Sequence, residues 1–416
     1  MTKDDNNNLH NYTNAKVQSV EFLTCSEIES SPSLLSKQQS LLLHNLQHYG
    51  WSPISILVSS GNKNNNDTTK TGWIRPPTKE AVLQVMKEQD PNDTNSNDSR
   101  FTYRTAESGG GIAAEPKESL ELKRSDVVLT QYSSSSSSSS LVDEWCWAMS
   151  EIAQSVTQLL ELPSNTLLAG QEEQTKGTTS DNNCLDLLRV FSYHATPDGP
   201  QLGSSPHTDW GSWTIVWQDD VGGLETYSRE HQQWEPVPTA KSNVSAASSA
   251  NDTTCTAAEA YYWHCIVHVG DMASLALRKN SSSTTTDNTA PESLLVEAPT
   301  TSSSSYYNYY WPSPEHRVQT STTQKRASLV YFGYPPANTS IRTIRQRLKD
   351  WKSYCRGSPL PLSEYYLLQN QSSSLSSSID GKGATEGQLQ EYFEKLETLS
   401  IQEVIKEKWK QVQRNH

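Results

Sequence analysis

The chain is short of the features that would place it in several large classes. Its 416 residues include six cysteines, Cys25, Cys146, Cys184, Cys255, Cys265 and Cys355, but no C-x-x-C pair. That scatter argues against a zinc knuckle or a disulfide framework and leaves free thiols, mostly packing residues. Basic residues are outnumbered, 34 Lys and Arg against 47 Asp and Glu, and the net charge is −13. Binding to nucleic acid needs a basic face, so no nucleic-acid partner is expected. Nothing in the sequence points to a protein partner either. No apolar run approaches the length of a bilayer span, and the opening MTKDDNNNLHNYTNAK has no apolar signal core. Neither a membrane nor secretion is therefore expected, and the cytoplasm is the default compartment. Hydrophobic residues make up only 34%, against roughly 45–50% in globular domains on a count that includes Gly. The shortfall sits in Ser-, Thr- and Asn-rich stretches, which leaves the other segments rich enough to build a core.

What is there changes character along the chain. Residues 1–16 are polar and read as a disordered tail. The region 17–132 combines a strand over 17–23, a helix over 27–49 stopped by Gly50, a β segment over 51–57, a polar loop at 59–71 and a helix near 77–90 opening with Pro77 and Thr78. The serine tract 133–140 reads as a linker that cannot pack. In the region 141–183, apolar residues at helical spacing over 141–162 predict a long scaffold helix closed by Pro163. From 184 to 336 the texture is different. LLRVFSYH, WTIVWQ, LETYS, CIVHVGD, MASLAL and ASLVYFGY are short β-type runs separated by Gly, Pro, Asp and Asn. They predict an antiparallel sandwich or barrel, interrupted by polar inserts near 239–259 and 280–305. The region 337–416 is expected to be helical near 340–354 and 384–412, with a Ser-rich gap at 371–378.

Three places in the strand-rich part carry chemistry. In SSPHTDWG, His207 and Asp209 are two apart, so an extended chain presents an imidazole and a carboxylate on one face. SPEHRV supplies His316. Two neutral nitrogens and one anionic oxygen on one side of an ion leave three positions open, the arrangement used by non-haem Fe(II) oxygenases. In KRASLVYF, Arg326 and Ser328 share a strand face and suit a carboxylate, held by a forked pair of bonds and one from the hydroxyl.

H-T-D followed by a hydrophobic strand and G-G-L-E, then V-x-V-G-D, H-R-V and R-x-S in that order, resembles the isopenicillin N synthase-like branch of the Fe(II)/2-oxoglutarate-dependent dioxygenases. The resemblance extends over most of the chain outside the low-complexity inserts. LLLHNLQHYGWSPISI is similar to the family's opening helix and strand, and RFTYRTAESGGGIAAEPKESLEL to its Gly-rich segment before an acidic-Lys-Glu motif. LRVFSYHATP matches the strand whose Tyr helps hold the co-substrate, and VHVGD (267–271) the V-N-V-G-D turn. The resemblance implies a mainly β fold with flanking helices around a double-stranded β-helix, a cupin-like jelly roll. It implies that His207, Asp209 and His316 ligate Fe(II), and that Arg326 and Ser328, assisted by Tyr193, bind the distal carboxylate of 2-oxoglutarate. Dioxygen would then oxidise a small organic molecule, most simply by hydroxylation, with succinate and CO2 as co-products. There are departures. The stretch from Asp209 to His316 is long, which the two inserts absorb. Trp210, Trp213 and Trp217 are bulky for this strand, Phe191 and Ser192 replace residues of other character, and His268 stands where the family often has Asn.

Other readings stay open at this point. An oxidase of the isopenicillin N synthase type, which uses no 2-oxoglutarate, shares the R-x-S motif. A non-catalytic ligand-binding protein on the same scaffold would not need three intact ligands, and a zinc hydrolase lacks a glutamate base placed by motif. His44 and His48, four apart, read as a helix-face pair because Asn45 stands where H-E-x-x-H has Glu. His264 and His268 share one strand face and read as packing residues. Trp213 and Trp217, in parity with Ile215, are expected in the core, and Asp271 at a structural turn.

Overall fold

The computed structural model of the protein describes residues 20–21, 32–58, 74–92, 98–105, 115–127, 138–169, 183–239, 262–277, 311–348 and 397–414. The tail at 1–16, the loop at 59–71, serines 133–137, the gap at 371–378 and both polar inserts except position 239 lie outside the described residues.

In chain order the elements are β1 (Val20–Glu21), α1 (Pro32–His48), β2 (Trp51–Leu57), α2 (Lys79–Glu88), β3 (Phe101–Arg104), β4 (Lys117–Lys123), α3 (Ser138–Leu159), β5 (Leu187–Tyr193), β6 (Leu202–His207), β7 (Trp213–Gln218), β8 (Leu224–Ser228), β9 (Gln233–Pro236), β10 (Tyr262–Val269), α4 (Asp271–Leu277), β11 (His316–Gln319), β12 (Arg326–Gly333), α5 (Ile341–Leu348) and α6 (Ile401–Arg414). One sheet runs β1-β2-β10-β7-β12-β5-β4-β3 and the other β6-β11-β8-β9. Within them, β10-β7-β12-β5 faces the four-stranded sheet in the order of a jelly roll of two Greek keys. The fold is therefore mainly β with flanking helices, as expected. Among the described residues, no helix is long and apolar enough to cross a membrane.

Strand period 2 sorts the side chains of the larger sheet into two cores. Leu188, Val190, Trp213, Ile215, Trp217, Cys265, Val267, Leu329 and Tyr331 pack with Trp145, Met149, Ile152 and Val156 of α3. Trp213 and Trp217 thus fill the helix-side core, where Trp213 Nε1 donates to Thr157 Oγ1 at 3.1 Å. The opposite parity turns Phe191, Tyr193, Val216 and Ile266 toward Leu224 and Val318 of the smaller sheet. Only this second, smaller core lies inside the roll, and the polar residues that matter share its faces.

Several expected elements differ. The run MASLAL is helix α4 rather than a strand: Ala, Leu and Met favour helix, and Asp271 complements its N-terminus. Ser138 to Ser140, expected in a linker, form the first turn of α3, where serine is well tolerated and the apolar face that follows carries the helix. Pro77 and Thr78 precede α2, with Thr78 Oγ1 capping Ala81 N at 3.2 Å. The helix expected over 384–412 has a boundary at Ser400: its hydroxyl accepts from Glu403 N while the Glu403 carboxylate accepts from Ser400 N, a capping box that starts α6 at Ile401.

Behind the roll, Asp186 accepts hydrogen bonds from Tyr331 OH and Tyr334 N, both at 2.7 Å. Burial still pushes its carboxyl up to about 6. An acid raised in the folded state stabilises the fold most below its unfolded value, and loses that contribution as pH rises through the folded value. Melting curves of Asp186→Asn and the parent are therefore expected to diverge in favour of the variant between about pH 4 and 6.5. A pH-independent difference between them would refute the assignment.

Candidate metal centre

The register of the smaller sheet juxtaposes two histidines more than a hundred residues apart in the sequence. His207 ends β6, His316 begins β11, and the two are direct cross-strand partners. Their ring centroids lie 4.3 Å apart. Asp209 comes from beyond the end of β6, so the strand alternation inferred for His207 and Asp209 applies only to the first of them. A knit of backbone bonds sets the carboxylate instead. Asp271 N donates to Asp209 O at 2.7 Å, Met272 N to Gly211 O at 3.1 Å and Gly270 N to Ser212 O at 2.8 Å. The two segments approach so closely that a Cβ on Gly270 would sit 2.0 Å from Gly211 O, which is why V-G-D needs its glycine.

His207 Nε2 is 3.8 Å from Asp209 Oδ1, and His316 Nε2 is 3.5 Å from Asp209 Oδ2. One ligand atom from each of the three residues lies within 4.8 Å of the other two, and among the described residues no other His, Cys, Asp and Glu group does this. Both imidazoles turn Nδ1 to a backbone carbonyl, His207 to Ser205 O at 2.7 Å and His316 to Pro314 O at 3.1 Å. A proton on Nδ1 satisfies each carbonyl and leaves each Nε2 lone pair directed at the cluster. Asp209 is 6% exposed, and its Oδ2 is buried with no hydrogen-bond partner. Burial would raise its carboxyl, but the imidazoles of His316, His268 and His207 outweigh burial and hold it well below the usual carboxylate range. The surrounding protein first, and His316 second, push His207 down to about 4, although 46% of its side-chain surface remains open to solvent. Burial also lowers His316. Two neutral nitrogens, one anionic oxygen with an unsatisfied lone pair, and an open side next to His207 are a donor set that could hold a divalent cation such as Fe(II).

Deeper in the roll, Arg326 is 1% exposed. Its Nη2 donates to Gln218 Oε1 at 3.1 Å and its Nη1 to Ser328 Oγ at 3.4 Å, while Nε has no partner. The guanidinium lies over the Tyr193 ring at 4.6 Å, and Tyr193 stacks on Phe191. Gly203 leaves room for this ring, since a Cβ there would stand 2.6 Å from Tyr193 Cδ1. The hydrogen-bond partners of this buried cation are therefore neutral, and part of its donor capacity is unused. It can accept an anion.

Two residues here escaped the sequence reading. Gln218 closes the inward row Thr214, Val216, Gln218, and its Nε2 donates to Pro238 O at 3.3 Å while its Oε1 holds Arg326. A polar residue ending an apolar strand was the available signal. His268, read as packing, is fully buried as that reading expects, and it also lies beside the cluster, which the sequence did not show. His264 differs, bonding Ser55 Oγ at 2.8 Å. His44 and His48 stand 4.4 Å apart on the exposed face of α1.

Residues 183–253 match the family model described as the 2OG-Fe(II) oxygenase superfamily. That span contains Tyr193, His207, Asp209 and Gln218 and ends before His268, His316 and Arg326. Among curated proteins, the 2-oxoglutarate-dependent dioxygenase citB of Monascus ruber is 35% identical over 102 residues, 23% of this chain and 30% of its own length. Gibberellin 20 oxidase 2 of Arabidopsis thaliana is 31% identical over 94 residues, 23% of each chain. The chain thus aligns with less than a third of these relatives' length. Among solved structures, the dioxygenase for auxin oxidation 1 from Arabidopsis thaliana, in complex with 2-oxoglutarate, aligns over 78% of this chain and 94% of its own, with 15% identity and a TM-score of 0.42.

Proposed function

We propose that the chain is a non-haem oxygenase of the 2OG-Fe(II) oxygenase superfamily, whose model residues 183–253 match, and that it oxidises a small organic molecule. His207 and His316 offer Nε2, and Asp209 a carboxylate oxygen, to Fe(II). Arg326 and Ser328 receive the distal carboxylate of 2-oxoglutarate. The observation that carries this reading is the pairing of the two unsatisfied features inside one roll: an orphaned Asp209 oxygen at one end, and a buried guanidinium with neutral partners at the other.

Iron(II) with 2-oxoglutarate would supply dioxygen activation there, with one oxygen atom going to the substrate and the other to succinate as CO2 is lost. The chain's own residues do the rest. The Ser205 and Pro314 carbonyls hold the two imidazoles in the tautomer that leaves Nε2 basic. Arg326 neutralises and orients a dicarboxylate, and Gln218 keeps the guanidinium from swinging, being itself tied to Pro238 O. The Tyr193 ring supports the guanidinium from one face. Phe191, Val216, Leu224, Ile266 and Val318 exclude water around the site.

The direct test is an anaerobic titration of Fe(II)-loaded protein with 2-oxoglutarate. The weak visible charge-transfer band of a keto-acid chelate is expected to rise and saturate, and air is then expected to yield succinate and CO2 in equal amounts. A substrate oxidised without succinate would assign the protein to the oxidases that need no 2-oxoglutarate. Absence of both band and turnover would remove the proposal.

A further inference from the structure

We infer that His268 is a positioning residue for the Asp209 carboxylate, donating its Nδ1 proton to Oδ2. The inference rests on the reading of His207, Asp209 and His316 as a metal centre.

His268 lies on β10, on the face of Ile266 that looks into the roll, and is 0% exposed. Neither of its ring nitrogens has a hydrogen-bond partner. Nδ1 stands 3.8 Å from Asp209 Oδ2, itself a buried oxygen with no partner. Two orphaned polar groups facing each other just beyond bonding distance are unfavourable in a buried, poorly hydrated site, and each is the other's remedy. Hydrogen bonds around such centres are often long before the ligand is bound and tighten with it. A carboxylate oxygen has two lone pairs, so Oδ2 can accept the His268 proton and still face a cation, and that bond keeps the carboxylate from rotating. The opposite nitrogen has a source too. Thr214, the register partner of His268 on β7, carries a buried hydroxyl without a partner, and cross-strand neighbours lie within side-chain reach. A proton from Thr214 Oγ1 on Nε2 fixes the tautomer with its hydrogen on Nδ1, the one that can donate to Asp209.

Direct ligation is the competing role. The nitrogens of His268 fall outside the donor set whose atoms lie within 4.8 Å of one another. Its ring is instead tilted against His316, centroid to centroid 4.6 Å at 55°. His268 therefore touches two of the three ligands without joining them.

The test is a Co(II) titration of metal-free, full-length protein without 2-oxoglutarate, read by visible d–d absorption. His268→Leu is expected to weaken Co(II) binding about 10- to 100-fold, the usual effect of removing an outer partner of a metal ligand. His268→Asn keeps an N–H for Oδ2 and is expected to stay within about 5-fold of the parent. Band shape should be the same in all three. Parental affinity in His268→Leu overturns the inference, as does a His268→Asn as weak as the leucine variant. A changed band pattern in His268→Leu would make His268 a ligand and overturn it as well. Asp209→Ala in the same titration separates the two levels: if it binds Co(II) like the parent, the metal-centre reading itself fails. Should His268→Leu not fold, proton NMR of the Zn(II)-loaded parent decides. A slowly exchanging imidazole N–H that disappears in His268→Asn supports the bond, and its absence from the parent refutes it.

Discussion

Protein carrying Asp209→Ala is expected to bind Fe(II) or Co(II) at least about 100-fold more weakly than the parent, beyond what loss of an outer partner costs. It is expected to form no succinate above a metal-free blank. The expectation follows from charge. Asp209 is the one anion among the three donors, and the two imidazoles left behind are neutral, with His207 pushed down to about 4. Two neutral nitrogens hold a divalent cation poorly, and no carboxylate among the described residues belongs to the same group. The second half of the prediction concerns stability. The parent should gain stability on adding metal and the variant should not. A structural His–Asp contact predicts instead the same metal response in both proteins. Isothermal titration and thermal melts with and without Co(II) distinguish the two, and succinate formation by the variant at the parental rate would discard the triad.

How much of this could be read from the sequence depends on where each residue's partner lies. Trp51–Leu57 was readable to the residue because its β-branched and aromatic run is bounded by Gly50 and packs along its length. The β7 tryptophans were readable because alternation with Ile215 put them on one face. By contrast, β6 (LGSSPH) is half exposed and contains serine and proline, so nothing in its composition announces a strand. Only its pairing with β11 makes it one. The same pairing brings His207 to His316, and no local pattern encodes a register between segments so far apart. MASLAL shows why short apolar runs mislead. Six consecutive buried residues give no helical period to detect. Gln218 and His268 were opaque for another reason. Each is a polar residue in a largely apolar strand, and its role exists only through a residue from another segment, Arg326 or Asp209. Motif order therefore singled out the candidate donors, while the residues packed around them became visible only with the sheet assembled.

Arg326→Ala is expected to leave Co(II) binding unchanged in the absence of 2-oxoglutarate, yet to weaken 2-oxoglutarate binding by about 2–5 kcal/mol, the range for truncating one partner of a buried charge pair. That corresponds to about 30-fold to several thousand-fold in affinity. The size of the effect follows from the surroundings. The guanidinium is almost fully buried, its partners Gln218 and Ser328 are neutral, and its Nε is unused. An arriving carboxylate therefore meets a cation already stripped of water, where a charge-assisted bond is strong. The nearby carboxylate Asp219, whose oxygens accept from the backbone N–H groups of Ala327 and Val221, acts on the guanidinium through its charge and not through a hydrogen bond. Arg326→Lys should recover part of the loss, because a point charge replaces the fork without its geometry. Ser328→Ala should be milder, within about 10-fold, as a neutral hydroxyl bond contributes about 1 kcal/mol. The ranking Ala, then Lys, then the serine variant, measured as the 2-oxoglutarate dependence of the charge-transfer band on the Fe(II) form, is the signature of an anion held by the guanidinium. Equal affinities across the series would mean that the cation serves the fold, resting on Tyr193 and tied to Gln218, and that the dicarboxylate binds elsewhere.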